Sequence, residues 1–292
     1  MLLGRVIIGE SRDSTSGTLP DTLGIILLIA GAALLAFGIV QSDVWGWGDV
    51  SVYGALIIGL VMLGAFIVQS SRSASPALDL TLFHERNFRL ANGATFVFSV
   101  AFTAMFFGSI FFLTRMWGYT LVQAGLAVMP GPLMVVVFAP IAGRIAAARG
   151  HRMLLVPGGI FYAAGALVLA LAASVTPHFF AVWLPAMVLG GIGVALVLPI
   201  LSSAAVQHLP PARLAVGSGV NQAIRQSGSV LGVSLTFALL GPAPDELARF
   251  GNIFVLMIVG GLSVSLLSLG IDTRPVRGAV MHERAPGSMG IE

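Results

Sequence analysis

The sequence predicts an all-α, polytopic membrane protein of about eight transmembrane helices, and three observations predict it. Eight continuous apolar stretches run through the 292 residues, each close to the length that crosses roughly 30 Å of hydrocarbon. Charged residues make up 9% of the chain, against roughly 25% in soluble domains, so most of the outer surface has to face lipid. The 15 basic residues are all arginine, and 12 of them fall at the termini or in every second gap. Only Arg115 and Arg249 fall in the opposite gaps, and Arg225 falls inside a stretch. This alternation is the positive-inside pattern, and it predicts a multi-pass protein of the cell membrane with both termini cytoplasmic.

The stretches follow in order. Residues 1–22 form a cytoplasmic N-terminal segment. Stretches 23–40 and 52–68 are short spans, and Trp45 and Trp47 between them suit an interfacial aromatic belt. Residues 70–89 are rich in serine and charge, a cytoplasmic loop that divides the first two spans (23–69) from a six-span region at 90–271. The third span, 90–113, places Asn92, Thr95, Ser99 and Thr103 on one face, with Phe96, Phe98, Phe102, Phe106, Phe107 and Phe111 over much of the rest. Such a face could hold flat, greasy or cationic molecules. Rings that merely face lipid would leave the same sequence. Trp117 and Tyr119, in the gap 114–123, again suit an aromatic belt.

The fourth span, 124–142, carries Pro130, Gly131, Pro132 and Pro140, which should break or bend it. The segment GRIAAARGHR, 143–152, then reads as a cytoplasmic loop bearing Gly143, Arg144, Arg149, Gly150 and Arg152. After the fifth span, 153–173, the sixth, 179–201, has Gly190, Gly191 and Gly193, small residues that let helices approach closely. Gly228 and Gly232 do the same in the seventh, 219–240. That span is also the most polar: Asn221, Gln222, Arg225, Gln226 and Ser229 recur at a spacing that forms one stripe on a helix. A charge at that depth is costly against lipid. Two readings stay open. The stripe lines a path for a substrate, or Arg225 reaches the cytoplasmic interface or a neighbouring helix carbonyl. The eighth span is 253–271, and the polar tail 272–292 is expected to be disordered.

Several function classes are excluded or weakened. There is no cysteine, hence no disulfide or thiolate site. His84, His151, His178, His208 and His282 are scattered, with no pair at metal-ligand spacing. The arginines are spread thinly over loops, unlike a nucleic-acid surface. No phosphate-binding loop, hydrolase elbow or zinc-protease motif is present, so neither an enzyme nor a cofactor is expected. All 12 acidic residues lie in loops, at termini or at span ends, so the chain shows no mid-membrane carboxylate of the kind that proton-coupled carriers use.

Four stretches resemble the major facilitator superfamily, and within it the second part of the fourteen-span drug:proton antiporter branch. They are PDTLGIILLIAGAALLAFGIVQSDVWGWGD, WGYTLVQAGLAVMPGPL, PIAGRIAAARGHRMLL and LPPARLAVGSGVNQAIRQSGSVLGVSL. The third is similar to the family's cytoplasmic signature loop, with Ala147 and Ala148 where the pattern has an acidic and a basic residue. The resemblance implies that the first two spans are the branch's two additional helices and the next six its C-terminal half-bundle. The N-terminal six-helix half would be missing, together with its membrane acid and antiporter motif, so the chain looks like a fragment or truncated product. The implied function is proton-coupled export of small hydrophobic or amphipathic substrates across the bilayer, through a central cavity. The third, sixth and seventh spans would supply one wall, with Asn92, Thr95, Ser99, Thr103, Asn221, Gln222, Arg225 and Gln226 as path candidates. The alternative is a non-transporting or accessory membrane remnant. The expected partners are the lipid bilayer, the small-molecule substrate and the absent half, and no nucleic acid.

Overall fold

The computed structural model describes residues 21–73, 80–241 and 247–273, leaving aside the side chains of Asp43, Leu80 and Ala212. The expectations for the N-terminal segment before Asp21 and for a disordered tail after Thr273 lie outside these residues. So do Arg5, Arg12, Arg274, Arg277 and Arg284.

Eight helical spans of membrane-crossing length and composition are present among the described residues. Helix α1 (Thr22–Trp45) and α2 (Val50–Arg72) form a hairpin. Each starts on an aspartate: Asp21 accepts from the Gly24 N–H at 2.9 Å and Asp49 from the Ser51 N–H at 2.7 Å, satisfying backbone donors that a helix start leaves unpaired. The third span is α3 (Arg86–Arg115). The fourth consists of α4 (Leu121–Val128) and α5 (Pro130–Arg149), broken at Met129, where proline takes the first position of the new helix. Then come α6 (Arg152–Ala172) and a π turn at Phe179–Trp183 that runs into α7 (Leu184–Val206). Helices α8 (Leu214–Leu240) and α9 (Leu247–Ser268) complete the bundle.

Hydropathy located the spans but understated their ends, because helices continue past the hydrocarbon. The segment 143–152 is not a loop. Alanine-rich helix α5 carries Gly143, Arg144 and Arg149 within it, and the connection shrinks to Gly150 and His151 before Arg152 opens α6. Gly150 stops α5 at φ 89° and donates to the Ala146 carbonyl at 2.8 Å, a left-handed conformation that suits glycine. Likewise α9 begins six residues before the expected 253. Arg249 therefore sits in its first turn and donates to the Leu240 carbonyl at 3.0 Å, at the C-terminus of α8.

Helix α7 is the hub, packing on α6, α5, α3 and α8. Helix α9 packs on α6 and α3, α8 packs on α3, and α1 joins the hairpin to α8. Arg72, Arg86, Arg89, Arg149, Arg152 and Arg213 gather at the end of the bundle that holds Asp21 and Thr273, here termed the basic end.

The two ends are fastened differently. At the end opposite the basic one, Phe112 is stacked on Trp183 and meets Phe250, Phe254 and Trp117 edge-on, with ring centroids 5.2–5.9 Å apart. The Trp117 indole donates to the Ser174 carbonyl and that of Trp183 to the Ala127 carbonyl. Trp117 is thus part of the packed core rather than of a lipid-facing belt, whereas Trp45 and Trp47 are exposed. At the basic end, residues 271–273 are tied down by hydrogen bonds. Asn87 donates to the Asp272 carbonyl at 2.7 Å and accepts its N–H at 3.0 Å. The buried His151 lies between Thr273 Oγ1, 2.9 Å from Nδ1, and Ser203 Oγ, 2.7 Å from Nε2.

Burial, and secondarily the charge of nearby His208, depress the His151 pKa below its ordinary value of 6.5. The unfolded chain would bind this proton more readily than the folded one. The stability from neutral His151 is therefore fully present above pH 6.5 and is lost as pH falls below it. The melting temperature in detergent should drop between pH 7.5 and 5.5, and His151→Gln should flatten that drop. An equal drop in the variant would assign it to another group.

Candidate substrate path

The eight candidate residues on α3 and α8 divide into two groups. Asn92, Thr95, Ser99 and Thr103 recur along α3 on a single face, and all four are buried. Their hydroxyls and amide first serve their own helix: Thr95 Oγ1 donates to Ala91 O, Ser99 Oγ to Thr95 O, and Asn92 Nδ2 to Phe88 O, at 2.7–2.9 Å. Asn221 on α8 then reaches across, its Nδ2 donating to Asn92 Oδ1 at 2.9 Å and to Thr95 Oγ1 at 3.2 Å. Farther along, a methyl group on Gly228 would lie 2.7 Å from the Phe96 carbonyl, and one on Gly232 would lie 2.6 Å from the Val100 carbonyl. Thus α3 and α8 touch backbone to backbone. The polar face of α3 and Asn221 make a helix–helix seam.

The second group points elsewhere. Gln222 and Gln226 are exposed and Arg225 is partly so. The guanidinium of Arg225 donates to Gln222 Oε1, one turn earlier on the same helix. The stripe splits because consecutive helical residues diverge by about 100°, enough to put Asn221 in the seam and Gln222 outside it. Because α8 begins at Leu214, Arg225 lies about 16 Å along the axis from the helix start.

Between α3, α5 and α7 lies a cavity of about 500 Å³, lined by residues that include Phe102, Met105, Phe106, Pro132, Val135 and Met187. All its lining residues are apolar or glycine. The glycines of α7 shape it. Gly191 meets the Gly131 carbonyl, which a methyl group would approach to 2.6 Å, and so draws α5 against α7. Gly190 faces Met105 with room to spare. Sequence reasoning read these glycines as packing devices but did not find the recess, which forms only where α3, α5 and α7 come together. A cavity of this size and character favours a flat or bulky apolar molecule.

The acidic residues with described side chains stand at helix starts or in a connection: Asp21, Asp49 and Glu85 at the starts of α1, α2 and α3, and Asp272 beyond α9. The signature residues Arg144, Arg149 and Arg152 are exposed toward the basic end, away from the cavity.

Eight helices of membrane-crossing length among the described residues, a lipid-compatible exterior and an open apolar recess define a polytopic helical membrane protein with room for a small guest. No protein-family profile matches the chain. The tetracenomycin C resistance and export protein of Streptomyces glaucescens is 27% identical over 259 residues, 87% of this chain and 46% of that protein. An uncharacterized MFS-type transporter of Bacillus subtilis, YhcA, is 30% identical over 74% of this chain and 40% of its own length. The cephamycin export protein CmcT of Amycolatopsis lactamdurans is 28% identical over 98% of this chain and 59% of its own length. The chain belongs to the major facilitator superfamily, with relatives named as drug and antibiotic exporters. It spans about half the length of the relatives it matches.

Proposed function

We propose that the chain is the C-terminal part of a proton-coupled exporter of the fourteen-span branch, with α1 and α2 as the additional helices and α3–α9 as the six-span half. The exported compounds are hydrophobic or amphipathic small molecules, as the names of the relatives suggest for those proteins. The observation that carries this reading is the wholly apolar cavity of about 500 Å³ between α3, α5 and α7. Gln222, Arg225 and Gln226, on a face of α8 outside the α3 seam, form the polar edge of the path, against which a second six-helix half closes. Asn92, Thr95, Ser99, Thr103 and Asn221 hold that wall in place rather than touching substrate. The arginine-rich end faces the cytoplasm of the cell membrane. The reaction is translocation rather than covalent chemistry.

Coupling to protons calls for a titratable group within the membrane, and the acids with described side chains lie at its edges. The chain expressed alone should therefore leave accumulation of a fluorescent amphipathic cation unchanged. Joined in frame to a six-helix N-terminal half from a major facilitator exporter, it should lower accumulation until an uncoupler is added. Energised efflux by the chain alone would overturn the division of labour. An abundant but inert joined protein would favour the accessory reading.

A further inference from the structure

A cavity of about 740 Å³ opens at the basic end between the start of α6 and the end of α9. It is separate from the apolar recess and shares no lining residue with it. Arg149 and Arg152 stand at its mouth with Asp272, and Val156, Pro157 and Leu269 line its apolar side. Neither guanidinium makes a hydrogen bond or ion pair with another described residue. Both side chains spring from a fixed turn. Gly150 closes it onto Ala146, and the His151 N–H donates to Thr273 Oγ1 at 2.9 Å. The backbone of Asp272 is held from both sides by Asn87. The backbone that carries the two arginines is therefore held before anything binds, and only their side chains remain to be ordered.

The charges and the apolar side select the guest. Among the described lining residues the two guanidiniums outnumber the one carboxylate, an excess of positive charge that complements an anionic phosphodiester. Val156 and Pro157 lie four and five residues along α6 from Arg152, about 6–8 Å deeper in the bundle. A free phosphate would use only the mouth, whereas an acyl-bearing one would also cover the apolar side. The geometry points to a binding site for an anionic phospholipid with a singly charged phosphodiester headgroup, seated on the seam between α6 and α9. The inference rests on the chain being embedded in a membrane. The proposed orientation decides only which leaflet supplies the lipid.

The full chain, purified and delipidated, is titrated with phosphatidylglycerol or phosphatidylcholine of identical acyl chains, and bound lipid is counted by native mass spectrometry. Retention of phosphatidylglycerol should exceed that of phosphatidylcholine by at least about fivefold, given two arginines near the surface. Arg149→Gln together with Arg152→Gln should remove the preference, and each change alone should reduce it. Arg144→Gln, on α5 outside the cavity, should leave it intact. Equal retention of the two lipids, or a preference that survives the double change, would overturn the proposal. Displacement of phosphatidylglycerol by millimolar inorganic phosphate would reassign the site to a soluble anion and overturn it too. If the double variant is unfolded in detergent, the single variants decide. The measurement involves no transport, so failure of the export reading and failure of the lipid site remain distinguishable.

Discussion

Gly261→Val should prevent most of the protein from reaching a stable fold. A methyl group at position 261 would lie 2.6 Å from the Gly159 carbonyl and 3.0 Å from the Ala163 nitrogen, both on α6. Backbone atoms do not move aside as a flexible side chain does, so the helices would have to separate along their length. Overpacking a well-packed interior costs about 1–3 kcal/mol, and a forced backbone separation belongs at the top of that range. The same separation would disturb the bond from Ser265 Oγ to the Val156 carbonyl, 2.8 Å long and one turn away on the same seam. Gly251→Val supplies the control. It lies on α9 too, but nothing stands within 4 Å of the added carbon. Unfolding in detergent, followed by fluorescence or size exclusion, should show a large loss for position 261 and little for position 251. Equal behaviour of the two would show that α6 and α9 do not meet as described.

Arg225→Ala should abolish export by the joined protein while leaving its abundance in the membrane unchanged. The guanidinium sits on the outward part of α8 and bonds only to Gln222 on its own helix among the described residues, so no neighbouring helix depends on it. Asn221→Ala is the opposite case. It removes the donor to Asn92 and Thr95 inside the seam, a loss of about 1 kcal/mol for a hydrogen bond between membrane helices. That variant should lower the unfolding temperature and reduce export only in proportion to the folded protein that remains. Reduced abundance in Arg225→Ala, or full stability in Asn221→Ala, would reverse the two assignments. Each variant is read by efflux of the fluorescent cation and by quantitative immunoblotting of membranes.

The spans were legible because twenty apolar residues in a row have one cheap conformation in lipid, a helix that pairs its own backbone. Their ends were not, because hydropathy reports where the hydrocarbon stops and not where the helix stops. The alanines at 146–148 continue α5 to Arg149 for reasons of helix propensity. The glycines of α7 and α8 were legible as close contacts because nothing else explains them at that spacing. The site was harder. A polar face on α3 looks the same in sequence whether it meets water, substrate or another helix. The pairing of Asn92 with Asn221, 129 residues apart, puts part of that face against α8, and no local pattern foretells it. The clamp at His151 is equally nonlocal, with partners 52 and 122 residues away. No local pattern announces it.

The unlike fastenings of the two ends give the bundle a direction. Interlocked rings around Phe112 carry no charge that titrates, while the segment 271–273 is held partly by an imidazole that does. Acid therefore loosens one end and leaves the other gripped. A molecule weakened in this way would splay like a fan held at its rivet, its ribs spreading where the arginines are and staying gathered where the tryptophans meet.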